Sequence, residues 1–485
     1  MKTFLCIDAG TTKIKAALLT SESEFIDIAS KSVTVSMPAA GVCEIDMQEY
    51  WNDVCEVIST LYAKNQDIWD KICGIGVSAQ GDGAWLLDEN GEPLRPAILW
   101  NDTRTGTVPK DELNSINEKC VALNTTPLFP VILNWLKKHE IENYKRVRWV
   151  LHCKDWINFK LTGKIATDTT DASTAVLDIF NKKYHYEILD WLDISEVKDC
   201  LPDVHLSGEV IGHVTKEASD MLKIPEGVPV IAGALDVIAA ATGNSLTSPG
   251  QKGSIVGTTL ANFVVLNEQD AKRNLSNLGS VLCHVEAGMY IRQMSALSGA
   301  SSLDWMRKNI ADDMSFADIE ANVRQIPIGS DGVLFLPYLF GERAPFRLPN
   351  ASAAFLGLRV HHTKYHMIKA VYEGIAMALH DCYQNLPKHK GEIYLAGGGA
   401  QSNLLCQTIA DCEGETVVRN QTSELGLLGV LYLLLKATGM TPKINNQNLT
   451  YFYPDDHRHE KYLQMYKSYE VYKNAMIKQW ELFLN

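Results

Sequence analysis

Phe4-Leu5-Cys6-Ile7-Asp8-Ala9-Gly10-Thr11-Thr12 and Gly253-Ser254-Ile255-Val256-Gly257-Thr258-Thr259 follow one plan: an apolar run, then Gly-Thr-Thr. Each leads into a second apolar run, Ala16-Ala17-Leu18-Leu19 in one case and Phe263-Val264-Val265-Leu266 in the other. Short apolar runs bounded by small polar residues read as buried strands joined by tight turns. The same strand-turn-strand therefore occurs twice, half a chain apart, which is the signature of an internal repeat. The copies are chemically unequal. Asp8 stands two residues before Gly10, whereas Ile255 stands two residues before Gly257. Two similar halves with one acid between them suggest a ligand held from two sides, with one half presenting a carboxylate.

Working outward, Asp46 reads as a helix N-cap with Glu49 as its capping-box partner. Trp51, Val54, Ile58 and Leu61 follow at helical spacing. Lys71 to Ala79 reads as a buried strand ending at Gln80-Gly81-Asp82-Gly83, and Pro229 to Gly233 as another, ending at Asp236. Gly243-Asn244-Ser245-Leu246-Thr247-Ser248-Pro249-Gly250 is the clearest shift to turn formers. It places a boundary between an N-terminal domain, 1–245, and a C-terminal domain, 246–485. In the second domain Gly397-Gly398-Gly399 follows an apolar run, and Ser402-Asn403 caps a helix. Tyr462, Tyr466, Tyr469, Met476, Trp480 and Phe483 form a stripe expected to pack a terminal helix on that domain.

Composition bounds the partners. The chain has 485 residues, enough at roughly 150 per domain for two large domains. Its formal net charge is -13, which argues against a nucleic-acid backbone as partner. A local loop can still bind phosphate through backbone N–H groups. The 11 cysteines contain no Cys-x-x-Cys pair, so reduced thiols in a cytoplasmic protein are expected. Asp8 comes too early for a signal-peptide core, and the Leu425–Leu435 apolar run is too short to span a bilayer. No membrane partner is expected.

Several residues could carry chemistry. A Gly-Thr-Thr turn lets backbone and hydroxyl groups approach phosphate oxygens. One such turn is more simply a ligand-free hairpin; two copies plus Gly397–Gly399 suggest a cradled nucleotide. Asp8, carried to a strand end, can hold a hydrated Mg²⁺, or else cap its turn. Asp236, isolated among small apolar residues, suits a general base, or else a helix N-cap. Asp82 between glycines, with Trp100, Asn101, Asp102 and Arg104, suits a polyhydroxylated ligand: carboxylates bond paired hydroxyls and the indole packs on C–H faces. His361, His362 and His366 cluster, but without a His-Glu-x-x-His pattern they give little support to a metal site.

These residues resemble the FGGY carbohydrate kinases over almost the whole chain. One signature of that family runs through Ala353, Phe355, Gly357-Leu358, His366-Met367 and Ala370-Val371-Tyr372-Glu373. A second, ending at Trp135-Leu136, is broken where Ile132 replaces a usual Lys. Asp8-x-Gly10-Thr11-Thr12, Trp100-Asn101-Asp102-x-Arg104 and Gly341-Glu342-Arg343-x-Pro345 look xylulokinase-like. Ser78 to Gly83 and Leu151 to Trp156 look more like erythritol and L-xylulose kinases, and Val237 stands where xylulokinases carry Asn.

The resemblance implies an α/β fold of two actin-like ATPase (ribonuclease-H-like) domains with a cleft between them. It implies an ATP-dependent kinase of a small polyol or ketose, such as a tetritol, pentitol or pentulose. A non-transferring ATPase switch and a kinase of glycerol or a hexonate are the alternatives. Gly10, Thr11, Thr12, Lys13, Gly257, Thr258 and Thr259 would hold phosphates, and Gly299, Gly398, Gly399 and Asn403 would line the adenosine site. Asp8 and Asp236 would serve Mg²⁺. Gln80, Gly81, Asp82, Trp100, Asp102 and Asp236 would meet the substrate, with Asp236 as catalytic base. A homodimer is possible on this reading.

Overall fold

The computed structural model describes residues 2–106, 128–276, 278–422, 424–444 and 449–482. They divide into two compact units. The first comprises residues 1–247, 275–290 and 424–445; the second comprises 248–274, 291–423 and 446–485. The sequence divides the chain once, near residue 245. The contacts add two later stretches to the first unit.

The first unit is built on β1 (Thr3–Ala9), β2 (Lys13–Thr20), β3 (Phe25–Ser32), β4 (Ile72–Ala79), β5 (Val210–His213), β6 (Pro229–Ile231) and β7 (Ala234–Leu235). The sheet order is β5-β6-β4-β1-β2-β3, with β7 also paired to β4. β1 and β2 form the expected hairpin, closing with Ala9 opposite Ile14. β4 lies parallel to β1. A strand covered on both faces must be apolar throughout; Phe4, Leu5, Cys6 and Ile7 are all fully buried.

Helix α1 (Met47–Lys64) covers one face of this unit, burying Trp51, Val54, Ile58 and Leu61. The Asp46 carboxylate accepts the Glu49 N–H at 2.8 Å, as its capping position requires. The strand expected from Pro229 to Gly233 is interrupted. Gly233 has φ +79°, and a Cβ there would stand 2.0 Å from the Val77 carbonyl oxygen. This left-handed residue breaks the strand before β7, the Val77 carbonyl leaving room there for no side chain, and helix α2 (Asp236–Gly243) begins after β7.

The Leu425–Ala437 helix returns to the first unit and crosses α2. The crossing is close because both helices carry glycine at the contact. A Cβ on Gly243 would lie 2.0 Å from the Leu425 carbonyl oxygen, and one on Gly429 would lie 2.0 Å from that of Ala239. Among the described residues, no helix is long and apolar enough to cross a membrane.

The second unit repeats the plan. β8 (Lys252–Val256) and β9 (Leu260–Asn267) form an antiparallel hairpin, with Val256 opposite Leu260. β10 (Met289–Ala296) lies beyond β9, and β11 (Ile393–Ala396), β12 (Val417–Asn420) and β13 (Leu449–Phe452) lie beyond β8. β8 is parallel to β11, as β1 is to β4. The terminal helix Asp456–Leu482 buries Tyr462, Tyr469 and Trp480. Lys473 meets the buried Asp381 carboxylate at 2.7 Å, and the Tyr469 and Tyr338 hydroxyls bond at 2.8 Å. The terminal stripe therefore packs within the second unit; Phe483 lies outside the described residues.

The helix crossing makes a prediction whose sign is decided by magnitude. Alanine is favoured over glycine in helices by about 1 kcal/mol. Overpacking costs about 1–3 kcal/mol, and here the added atom meets backbone. Gly243→Ala and Gly429→Ala should each lower the urea midpoint of the first unit. A midpoint at or above wild type would refute the crossing.

Candidate active site

Parallel pairing brings three carboxylates to neighbouring strand ends. Asp8 is the penultimate residue of β1, opposite Ser78 of β4, and Leu235 of β7 lies opposite Ala79 of β4. Asp236 follows β7 as the first residue of α2, and Asp82 lies just beyond β4. Ligands of parallel sheets gather at this end, where the loops leave the strands.

Asp8 takes a hydrogen bond from the Ser78 hydroxyl at 3.3 Å. Its carboxyl group abuts Gly426, where a Cβ would come within 2.8 Å. Gly426 is in the first turn of the Leu425–Ala437 helix, whose N-terminal dipole favours an anion. Burial nevertheless raises the Asp8 pKa to about 6, against the lowering effect of Lys15. Asp236 is solvent-accessible but closely surrounded by protein. Desolvation first, then the neighbouring charges of Asp8, Asp171 and Asp82, push it up to about 7. Its Oδ1 accepts the Val237 N–H at 2.6 Å.

The Gln80–Gly83 turn is shaped by its glycines. A Cβ on Gly81 would strike Leu235 Cδ1 at 2.1 Å. Gly83 has φ +75°, with the Ile98 carbonyl oxygen 2.3 Å from a Cβ position. Asp82 between them is also left-handed, at φ +57°, a conformation Asp tolerates better than most residues. Trp100, Thr11 and Gln80 form a directed chain. The indole N–H can only donate, so Thr11 accepts it at 2.9 Å and gives its own proton to Gln80 Oε1 at 2.8 Å. Asp102 is fully buried. Its oxygens accept the Cys43 N–H at 2.7 Å, the Arg104 N–H at 2.9 Å and the Arg104 guanidinium. It braces the corner that carries Trp100, and its carboxylate has no face open to a ligand.

The second unit gathers its glycines at one place. The Gly257 N–H bonds the Thr259 carbonyl at 3.0 Å, closing the turn. Gly299 lies against that turn, with the Gly257 and Thr259 carbonyl oxygens both 2.6 Å from a Cβ position. Gly397, at φ +89°, meets the end of β8, where the Val256 carbonyl oxygen would be 2.7 Å from a Cβ. Gly398 is open, with nothing within 4 Å of a Cβ position. The exposed Asn403 starts a helix capped by Ser402, which accepts the Leu405 N–H at 3.1 Å.

Sequence reasoning missed a buried charge cluster in the first unit. Lys154 is fully buried, 2.6 Å from Asp155 and 3.3 Å from both Asp168 and Asp171. Burial raises the Asp171 pKa and opposes ionisation of Asp155 too, but Lys154 and His152 outweigh it there and hold Asp155 low. The available signal was Asp168-x-x-Asp171 together with a lysine in the apolar stretch 149–161. His361 and His362 meet Asp331, but His362 Nδ1 accepts the Arg359 N–H at 2.8 Å. The proton of neutral His362 is then on Nε2, which leaves that nitrogen no lone pair for a metal.

Known proteins share this fold. The family model of the N-terminal domain of FGGY carbohydrate kinases matches residues 3–243, and that of the C-terminal domain matches residues 254–438. A protein of Pasteurella multocida named probable L-xylulose kinase is 29% identical over 486 residues, covering 98% of this chain and 99% of its own. The ligand-bound xylulose kinase structure from Lactobacillus acidophilus has a TM-score of 0.91 at 26% identity, covering 100% of both chains. The gluconate kinase structure from the same organism has a TM-score of 0.89 at 26% identity, covering 99% of both chains. The fold is the two-domain actin-like ATPase fold, and the chain belongs to the FGGY family of carbohydrate kinases.

Proposed function

We propose that this kinase moves the γ-phosphoryl group of ATP, bound with Mg²⁺, to a hydroxyl of a small ketose or polyol, with a pentulose foremost. One observation carries the reading: an accessible Asp236 with a raised pKa stands at a strand end beside Asp8 and the Gln80–Asp82 turn. The relatives named for L-xylulose and xylulose support the substrate class.

The residues fit both groups. Asp8 and Asp236 are hard oxygen donors that repel one another, which suits a magnesium ion. Open backbone at Gly398 and exposed Thr258 suit a nucleotide. When bound, Mg²⁺ neutralises phosphate charge, the larger part of catalysis in phosphoryl transfer. Gly10, Thr11, Thr12 and Lys13 of the first unit and Gly257, Thr258 and Thr259 of the second bind phosphate oxygens. Gly299, Gly398, Gly399 and Asn403 meet the adenosine. Gln80, Gly81, Asp82 and Trp100 orient the sugar. Asp236 takes the proton of the attacking hydroxyl as that oxygen gains the phosphoryl group and ADP leaves.

Removing the base tests this directly. Asp236→Asn should lower kcat by about 10²–10⁴ while nucleotide still binds. Near-wild-type turnover would refute the assignment, as would ADP release indifferent to tetritols, pentitols, pentuloses, gluconate and glycerol alike.

The pH dependence has a fixed sign. A base works only when ionised, and Asp236 is held up at about 7. Sugar kcat/KM should therefore fall as pH drops below neutrality. Added Mg²⁺ should move that limb to lower pH, because a nearby cation favours the carboxylate. A flat profile between pH 5 and 8, a window of roughly one unit or more on either side of the midpoint, would contradict the role.

A further inference from the structure

We propose that Thr170 is the positioning residue for Asp236, and that the charges around Lys154 serve to hold Thr170 in place. This rests on the reading of Asp236 as the base. The relay is continuous in hydrogen bonds. Asp168, fully buried, lies 3.3 Å from Lys154 through Oδ1. Its Oδ2 accepts the Thr170 N–H at 2.9 Å, the Thr170 hydroxyl at 2.8 Å and the Ser207 hydroxyl at 2.6 Å. Bonds to a charged acceptor are the stronger kind, so they fix the Thr170 side chain. With its proton committed to Asp168, the Thr170 oxygen presents a lone pair to the Leu235 N–H, which it accepts at 2.9 Å.

Leu235 directly precedes Asp236. Among the described strands, β7 pairs only with β4, so the outer edge of β7 lacks a carbonyl partner. The Thr170 hydroxyl stands where a strand would have placed one. Two further ties hold the same segment: the Gly233 N–H bonds the Ser207 carbonyl at 2.9 Å, and Asn158 Nδ2 bonds the Ala232 carbonyl at 2.9 Å. The Asp236 carboxylate is itself bonded to the Val237 N–H. Its direction therefore follows the backbone at 235–237, and the relay sets that backbone.

The test compares kcat and both KM values for Thr170→Val, Thr170→Ser, Ser207→Ala and Asp236→Asn in the full chain. Thr170→Val keeps the shape and removes the hydroxyl. It should lower kcat by about 10–100-fold, the usual cost of misplacing a reacting group, with both KM values unchanged. Thr170→Ser, which restores the hydroxyl, should return kcat close to wild type. Ser207→Ala should show a smaller kcat loss. Wild-type kcat in Thr170→Val, a Thr170→Ser variant as slow as Thr170→Val, or a loss confined to KM would overturn the inference. Should Thr170→Val fail to fold, wild-type kcat in Ser207→Ala overturns it instead. A slow Asp236→Asn beside a fast Thr170→Val removes this inference alone; a fast Asp236→Asn removes the base and the inference together.

Discussion

Like charges forced together by strand pairing are the constraint on which the first unit turns. Parallel alignment of β1, β4 and β7 leaves Asp8, Asp82 and Asp236 no way to separate. At Asp236 burial is the larger cost of ionisation, and the charges of Asp8 and Asp82 add to it. The surroundings answer with partial compensation: Lys15, a serine hydroxyl and a helix N-terminus at Asp8, and a single backbone N–H at Asp236. The residual repulsion favours a cation or a proton at Asp236. The charges of Asp155 and Asp168, by contrast, are matched closely by Lys154.

The second unit shows what the same scaffold becomes without that constraint. Its hairpin and parallel neighbour repeat those of the first unit, but Ile255 occupies the place of Asp8. Three glycine-bearing segments then pack so closely that backbone touches backbone. These segments, Gly257–Thr259, Gly299 and Gly397–Gly399, carry no charged side chain, so none of the net charge of -13 falls on them.

Much of this was legible because it is local. The two Gly-Thr-Thr hairpins, the Asp46 cap and the strand ends at Asp8 and Asp236 follow from patterns a few residues long. What escaped the sequence depends on distant partners. Gly233 turns left-handed where the Val77 carbonyl leaves no room for a side chain, and Asp102 is held by the Cys43 N–H, 59 residues away, as well as by its neighbour Arg104. The Lys154 cluster joins four charged residues spread from 154 to 171, and no periodicity reports a salt bridge.

The return of the Leu425–Ala437 helix has a consequence for synthesis. Its buried leucines, among them Leu427, Leu431 and Leu435, belong to the core of the first unit. A nascent chain that has emerged only as far as residue 247 lacks this cover over β1, β4 and α2. The first unit thus cannot complete its core until residue 445 has emerged, when most of the second unit has already been made. Until late in translation the apolar face of that sheet remains without its partner.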